Sequence, residues 1–459
     1  MIRLYNTLGR KIQEFRPLEP DKVKIYTCGP TVYDYQHIGN YSGYIYWDIL
    51  VRLFKEQGYA VQRVMNITDV GHLVSDADEG EDKLEKSAQR EGKTARQVAD
   101  FYTEDFYKGI DSLGLLKPDQ YAKATDFIPQ QLEIVQKLLD KGFAYQTEQA
   151  IYFDVSKLSD YGKLTGQKLS DKEVGARAEV VTDKAKHHPQ DFALWFFTVE
   201  RFAEHEMRWD SPWGSGFPGW HLECSAIIHA VLGEPIDIHT GGVDHIGTHH
   251  TNEIAQTEAA FDKSLADLWL HNNHMMVDGQ KISKSLRNGY TIDDLAKKGF
   301  SATDFKLLVL QSHYRSQMNF KWEALEAAQA NLADLHAWAD QTYQLGVNAL
   351  SSEQEEALIK IVKGSLAEDL NTTVALASVN GITLKGRPSR PLLRQLDELL
   401  GLGLSERQDI TSEQKQVIEQ REQARRAGNW PQADELRQSL KRQRLEINDT
   451  DAGPVWSRA

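Results

Sequence analysis

The sequence predicts an α/β protein built on a Rossmann-like parallel sheet, interrupted by an insertion domain and followed by a helical bundle and a small C-terminal domain. Three observations carry that expectation. A strand, a glycine-containing turn, a helix and a second strand follow one another between residues 22 and 68, the crossover that parallel strands require. A long polar stretch then separates this unit from the next strongly apolar segment near Phe192. After residue 300 the apolar spacing is helical throughout.

In chain order, Val23 and Ile25 alternate with lysines, the strand period, and Cys28-Gly29-Pro30 supplies a turn. From about Tyr41 to Gln57, Ile45, Ile49 and Leu53 lie beside Tyr46, Leu50 and Phe54 in adjacent four-residue rows. The rows make one wide apolar helix face, and Gly58 is a natural stop. Val61 to Thr68 reads as the next strand. The acidic segment Asp76 to Asp82 leads into a charged helix pattern from Lys83 to Leu113, so its carboxylates read as acids at a helix N-terminus, favourable by dipole alone, ahead of a metal loop. A helix from Asp126 to Asp140 ends before Gly142, Ile151 to Asp154 is strand-like, and the sheet is expected to resume near Phe192 and continue through Ile236 to Thr240. Helices follow from Ala302 to Ser312, Trp322 to Leu345 and Ser351 to Leu366, with a Gly-Leu-Gly-Leu turn at 401–404 before a terminal unit. The implied divisions are 1–115 and 191–275 for the two halves of the sheet domain, 116–190 for a connective insertion, 276–320 for a lysine-motif loop and stem-contact region, 321–400 for a helical bundle and 401–459 for the terminal domain.

Composition narrows the classes. With 41% apolar and 26% charged residues in 459, the chain has the make-up of an ordinary globular protein. It has no apolar run long enough to span a membrane and no leader pattern, which points to the cytosol. Two cysteines, Cys28 and Cys224, cannot staple a chain this size, so in a reducing compartment they are free thiols or ligands. A net charge of −14 argues against indiscriminate nucleic-acid binding. Yet seven basic residues against three acidic ones lie between Arg421 and Arg444, either a local RNA-facing patch or a solvated helical face.

The chemistry is concentrated in two motifs. Lys281-Ile282-Ser283-Lys284-Ser285 places two ammonium groups on a short polar loop, suited to neutralising a departing pyrophosphate. His37-Ile38-Gly39-Asn40 lies far upstream, after a strand and at the mouth of a helix, where anions bind. Together they point to ATP chemistry. Eleven of the fifteen histidines fall between His187 and His274, too many for spacing to choose among them as ligands. His249 and Glu253, on an expected helix from Thr251 to Ala260, place two ligand types one turn apart, a spacing that ordinary surface pairs share.

These two motifs resemble the signature pair of the class I aminoacyl-tRNA synthetases. The surrounding text narrows the resemblance: Tyr26-Thr27-Cys28-Gly29-Pro30-Thr31-Val32-Tyr33-Asp34, Asn66-Ile67-Thr68-Asp69, Ser211-Pro212-Trp213-Gly214, Pro218-Gly219-Trp220-His221-Leu222-Glu223-Cys224-Ser225-Ala226 and His249-His250-Thr251-Asn252-Glu253-Ile254-Ala255-Gln256 look like the cysteinyl-tRNA synthetases, along essentially the whole chain. The resemblance implies one zinc ion held by Cys28, Cys224, His249 and Glu253, with the thiol of L-cysteine joining the metal. A site that demands such a contact rejects analogues lacking it by roughly 10⁴ to 10⁵, so no editing domain is expected. It further implies that His37, Gly39 and Asn40 meet the triphosphate of ATP and Lys281 and Lys284 clamp the leaving pyrophosphate, with Mg²⁺ accompanying the nucleotide. Gly242 and Asp244 are implied for the nucleoside, and Gly29, Thr31, Thr68, Trp220 and His239 for the amino-acid pocket. Arg425, Arg426, Trp430 and Asp434 fall in a segment resembling the family's anticodon-binding domain, with tRNA(Cys) as partner and a monomer as the expected state.

Four residues, at three places, depart from the family pattern. Asn40 replaces a second histidine, Ser42-Gly43 stands where relatives have Arg-Thr, and Arg287 replaces the usual glycine of the lysine loop, returning a positive charge to the phosphate side. Two other readings compete: a related ligase that joins cysteine to an amino-sugar, against which the terminal unit argues, and an RNA-binding protein whose catalytic motifs have drifted.

Overall fold

Val23, Ile25 and Tyr26 are fully buried in the strand Lys22–Thr27, which sits at the centre of a five-stranded sheet. A computed structural model describes the chain except residues 72, 76–78, 167–182, 345, 451–452 and 459. It divides into two compact units, one of Met1–Lys297 with Tyr314–Asn319, the other of Lys298–His313 with Phe320–Ala459.

In the first unit the sheet order is Ala266–Asn272, Ile236–Gly242, Lys22–Thr27, Ala60–Ile67 and Gln120–Lys123, every pair parallel. The chain leaves the central strand towards one edge and returns from the other side. Parallel strands so ordered place a crevice at their carboxyl ends, at the switch between Lys22–Thr27 and Ile236–Gly242. The helix that follows the first strand spans Ile38–Glu56 and buries both predicted rows, with Ile45, Ile49, Leu50, Leu53 and Phe54 all at zero exposure. Its buried Asp48 is matched by Arg52 Nε at 2.6 Å and the Leu116 N–H at 2.7 Å.

Several sequence expectations change here. The single helix expected from Lys83 to Leu113 is two, Lys83–Glu91 and Ala95–Ser112; Gly92, at φ +63°, ends the first, and Thr94 caps the second. Of the acidic segment, residues 76–78 lie outside the described residues, Glu79–Asp82 pairs as a strand with Leu73–Ser75, and Asp82 caps the following helix through the Leu84 and Glu85 N–H groups. The expected return of the main sheet at Phe192 is overturned. Phe192–Phe197 instead pairs antiparallel with Ala150–Phe153 and Gly216–Pro218 in a separate four-stranded sheet. Its six residues are all buried because both faces are covered: Leu194 packs with Ile134 and Leu138, Phe196 with Phe202 and Phe217. Such a run reads like a parallel core strand.

In the second unit the helices Ala302–Leu310, Trp322–Asp340, Ser352–Ala367, Thr372–Ile382 and Arg390–Leu400 come first. The helix expected to reach Leu345 ends at Asp340 in a tight turn, Gln341–Tyr343. Helices Ser412–Arg426 and Trp430–Arg442 then pack with the hairpin Leu445–Thr450/Gly453–Arg458 around Ile418, Leu440, Ile447 and Trp456. Among the described residues no helix is long and apolar enough to cross a membrane.

Candidate active site

At the sheet crevice lies a cavity of about 760 Å³. His37, Gly39 and Asn40 line it from the N-terminus of the first helix, together with Lys281, Lys284 and Arg287. The two segments are physically joined: the Ile38 N–H donates at 2.8 Å to the carbonyl of Tyr290, which lies beyond the lysine motif, and Gly39 faces Ile282 within it. Gly39 makes this possible, since a Cβ there would lie 2.8 Å from Ile282 Cδ1. His37 and Asn40 form a reciprocal cap. The Asn40 N–H donates to His37 Nδ1 at 3.2 Å, and the His37 N–H donates to Asn40 Oδ1 at 3.1 Å. Burial pushes the His37 imidazole below its ordinary pKa, so the ring is neutral at pH 7. With Nδ1 accepting, its proton sits on Nε2, and the Asn40 amide nitrogen likewise remains a donor. Lys284 Nζ donates to Asp34 Oδ2 at 2.6 Å and lies 4.6 Å from the centre of the Tyr33 ring.

Beneath the cavity is a buried ligand-type cluster. Cys28 follows the central strand, Cys224 lies on the helix Trp220–Ile227, and His249 and Glu253 share one face of the helix His249–Phe261. One potential ligand atom from each falls within 4.8 Å of the others, so the group could hold a metal ion. Cys28, His239, His250 and Glu253 form a second set of the same size, sharing two members with the first. Each set carries an internal thiol–imidazole bond, Cys224 Sγ to His249 Nε2 at 3.6 Å in the first and Cys28 Sγ to His250 Nε2 at 3.2 Å in the second, and they differ at Glu253. His239 Nε2 is bonded to Glu253 Oε2 at 2.7 Å, whereas His249 Nε2 lies 2.7 Å from Glu253 Oε1 without hydrogen-bond alignment, leaving that buried oxygen unsatisfied. An orphaned carboxylate oxygen facing an imidazole nitrogen is what a cation would complete. The electrostatics divide the two thiols: burial, the bond to Cys28 and the Glu253 charge push the Cys224 thiol well above its usual range. Burial opposes ionisation of Cys28, yet the Cys224 thiol and His250 hold it well below the usual thiol range, and His249 and His239 hold Glu253 ionised against the same burial. Burial also works against a charged His249, but Glu253 raises it to about 10.

The remaining expected residues fall into two groups. Gly29, Thr31, Trp220, Gly242 and Asp244 line the cavity. Trp220 stacks on His249 with ring centres 4.1 Å apart. Gly242 leaves room for its neighbour, because a Cβ there would lie 2.4 Å from Asp244 Oδ1. Burial of Asp244 favours the neutral acid, but His245, a backbone hydrogen bond, His274 and His250 together outweigh it and lower its pKa. Thr68 and His239 do not reach the wall; both are buried behind it. Thr68 Oγ1 donates to Glu223 Oε2 at 2.7 Å and accepts from Asn66 Nδ2 at 3.1 Å, while His239 stacks on Trp269.

In the terminal helices Arg426, Trp430 and Asp434 are exposed, Trp430 to 60%. The basic patch is weaker than its count suggests. Arg421 is buried and bidentate to Asp449 at 2.8 Å, and Arg425 reaches the same carboxylate at 2.6 Å. Asp449 lies beyond the stretch that was counted.

The family model for the class I (C) tRNA synthetase catalytic domain matches residues 14–330. The cysteine–tRNA ligase of Treponema denticola is 39% identical, over 100% of this chain and 99% of its own. The cysteine–tRNA ligase 1 of Burkholderia lata is also 39% identical, over 98% of this chain and 96% of its own.

The chain belongs to the cysteinyl-tRNA synthetases.

Among solved structures it is similar to the methionyl-tRNA synthetase of Mycobacterium tuberculosis bound to methionyl-adenylate, with a TM-score of 0.58 at 13% identity over 84% of this chain and 88% of that one. It is also similar to a leucyl-tRNA synthetase of Agrobacterium radiobacter in a ternary complex, with a TM-score of 0.61 at 12% identity over 86% of each. At those identities the likeness is one of fold, the class I synthetase fold that this family shares.

Sequence reasoning about this synthetase family member missed the residues that orient the cluster. His250 Nε2 lies 3.2 Å from Cys28 Sγ, and His250 Nδ1 lies 2.8 Å from His271 Nε2. Asn66 Oδ1 accepts from the Gly29 N–H at 2.7 Å. The one available signal was the His249-His250 doublet, whose second ring turns to a different partner.

Proposed function

We propose that this protein activates L-cysteine with ATP, forming cysteinyl-adenylate, and transfers the cysteinyl group to the 3′ end of tRNA(Cys). The observation that carries the reading is the arrangement of two thiols, an imidazole and a carboxylate within 4.8 Å of one another beneath a cavity lined by the phosphate-type motifs. Cys28, Cys224, His249 and Glu253 fit zinc, which prefers sulfur and nitrogen donors in a four-coordinate set. When bound there, zinc supplies a soft Lewis acid that takes a thiol as thiolate and so separates cysteine from serine.

The chain's own residues do the rest. The substrate carboxylate, already ionised at neutral pH, attacks the α-phosphorus, and the bond to the β-phosphate breaks with release of pyrophosphate. No general base is needed, so catalysis rests on positioning and on meeting phosphate charge. His37 Nε2–H and the Asn40 amide donate to the phosphates at the helix N-terminus, where the dipole favours anions. Lys281 and Lys284 neutralise the leaving pyrophosphate, with Mg²⁺ on the nucleotide. Asp244 takes the ribose, and bare Gly242 admits it. Gly29, Thr31 and Trp220 shape the amino-acid pocket. Thr68 and His239 act from behind, Thr68 by fixing Asn66 and Glu223, His239 by orienting Glu253. In the second step a ribose hydroxyl of the tRNA attacks the activated carbonyl and AMP leaves. Arg425, Arg426, Trp430 and Asp434 serve the anticodon, and the setting is a cytosolic monomer.

Cysteinylation of tRNA(Cys) tests the reading, run with and without a strong chelator and paired with metal analysis. The expected outcome is charging that the chelator abolishes and zinc restores, and a Cys224→Ser variant that binds less than a tenth of the parent's metal. Charging by a metal-free protein would overturn the zinc assignment. Cysteine-independent pyrophosphate exchange would overturn the substrate.

A further inference from the structure

Resting on that functional reading, the loop Lys281–Asn288 holds a cation the motifs do not explain. Arg287 lines the same cavity as His37, Asn40, Lys281 and Lys284. Among the described residues, Lys284 has an acidic partner in Asp34, and neither Arg287 nor Lys281 has one. The first helix offers no cation of its own near its start: from Ile38 to Val51 it carries no basic residue, Ser42 Oγ is spent on the Gly39 carbonyl at 2.8 Å, and Gly43 is pressed by Asn272, whose Oδ1 would lie 2.9 Å from a Cβ. A triphosphate at this helix end therefore meets a weak dipole, two lysines already engaged, Lys284 with Asp34 and Lys83 over the Tyr33 ring at 5.7 Å, and the two unengaged cations of the loop.

The backbone singles out Arg287 from the two. It stands at φ +49°, in the left-handed region that disfavours every residue with a Cβ other than asparagine and aspartate. The strain is held by its surroundings. The Arg287 N–H donates to the Lys284 carbonyl at 3.3 Å, and Asn288 closes the turn, its Oδ1 accepting from the Ser283 N–H at 2.9 Å and its Nδ2 donating to the Lys281 carbonyl at 3.2 Å. Glycine would occupy this turn without penalty, so a long charged side chain in a strained conformation with no acid beside it is a feature that stability does not account for.

We propose that Arg287 is a phosphate-binding residue of this site, its guanidinium gripping the β- and γ-phosphates of ATP and the pyrophosphate that leaves. A planar guanidinium suits two adjacent phosphate oxygens better than an ammonium does. It binds the nucleotide in the ground state and follows the charge that grows on the leaving group.

Three variants, Arg287→Gly, Arg287→Ala and Arg287→Lys, test this by calorimetric titration with ATP and with tripolyphosphate, alongside cysteine-dependent ATP–pyrophosphate exchange. Arg287→Gly removes the charge while relieving the turn, so it should melt no lower than the parent yet bind ATP and tripolyphosphate at least about tenfold more weakly. Its KM for pyrophosphate should rise in step, and Arg287→Lys should recover only part of the loss. Adenosine binding should not change. Equal tripolyphosphate affinity in the parent and Arg287→Gly would overturn the proposal. A parent that binds ATP through Arg287 but shows no cysteine-dependent exchange would overturn the functional reading and leave Arg287 standing, whereas a parent that binds no ATP would overturn both.

Discussion

Lys284 Nζ and Asp34 Oδ2 are 2.6 Å apart, joining the lysine loop to the turn that precedes the first helix. Arg90 approaches the same carboxylate at 3.9 Å. Under the proposed function, Asp34 occupies the ammonium that a triphosphate would claim, and nucleotide would displace it. Because Lys284 is 66% exposed, the pair is well screened and contributes at most about 1 kcal/mol. Asp34→Asn should therefore lower the KM for ATP in pyrophosphate exchange by up to about fivefold. An unchanged or raised KM would mean that Asp34 aims Lys284 instead of competing for it.

A second carboxylate sets an acid limit on the terminal unit. Arg421 donates to both oxygens of Asp449 at 2.8 Å, and this bond, aided by Arg425, holds the Asp449 carboxyl below its usual range. For a group depressed in the folded state, the stabilisation is complete above the unfolded value of about 3.9 and is lost as the pH falls through the lower folded value. Asp449→Asn should cost roughly 1–3 kcal/mol at pH 7, since it removes the bidentate carboxylate and leaves the guanidinium of buried Arg421 with a single contact to Glu422 at 3.0 Å. Parent and variant should converge as the pH falls through the lowered value of Asp449, read by urea denaturation of the full chain or by hydrogen exchange in the hairpin. A gap that persists undiminished into acid would assign the loss to shape instead of charge.

The difference between what spacing could and could not reveal follows the range of the contacts. The first strand and helix were legible because Ile45, Ile49 and Leu53 are placed by a local period and Gly58 ends it. Phe192–Phe197 misled because burial on both faces erases the alternation that marks an antiparallel strand. Gly92 was passed over because a lone glycine inside a helical pattern does not by itself announce a break. In the site, His37 and Lys284 stood out because each sits in a short contiguous motif. The bond from Lys284 to Asp34, 250 residues away, and the choice of His239 as partner of Glu253 are set by how strand ends meet, which no local spacing encodes.

Gly29 shows how tightly those strand ends meet. A Cβ at this position would lie 1.7 Å from the Asn66 carbonyl oxygen and 2.8 Å from its carbon, both backbone atoms that cannot swing aside. Gly29→Ala must push the turn away from the neighbouring strand and carry Cys28 with it. Overpacking of this kind costs about 1–3 kcal/mol, with the upper end expected where backbone is struck. Urea denaturation and metal content should fall together in this variant. Parent-like values for both would show that the turn has slack.

Trp430 offers the clearest separation of the two units' work. Its indole is 60% exposed at the first turn of Trp430–Arg442, with exposed Arg426 close by in sequence, and the terminal core is built from other residues. Removing it should leave the fold almost untouched, because little apolar area returns to water. Stacking of a base on an aromatic ring contributes about 1–3 kcal/mol, so Trp430→Ala should weaken tRNA(Cys) binding by roughly five- to 150-fold. Trp430→Phe should retain most of the affinity. Cysteine-dependent pyrophosphate exchange, which needs no tRNA, should proceed at the parent's rate in both variants. If Trp430→Ala binds and charges tRNA(Cys) as the parent does, the exposed ring is surface only, and RNA recognition must be sought elsewhere in the unit.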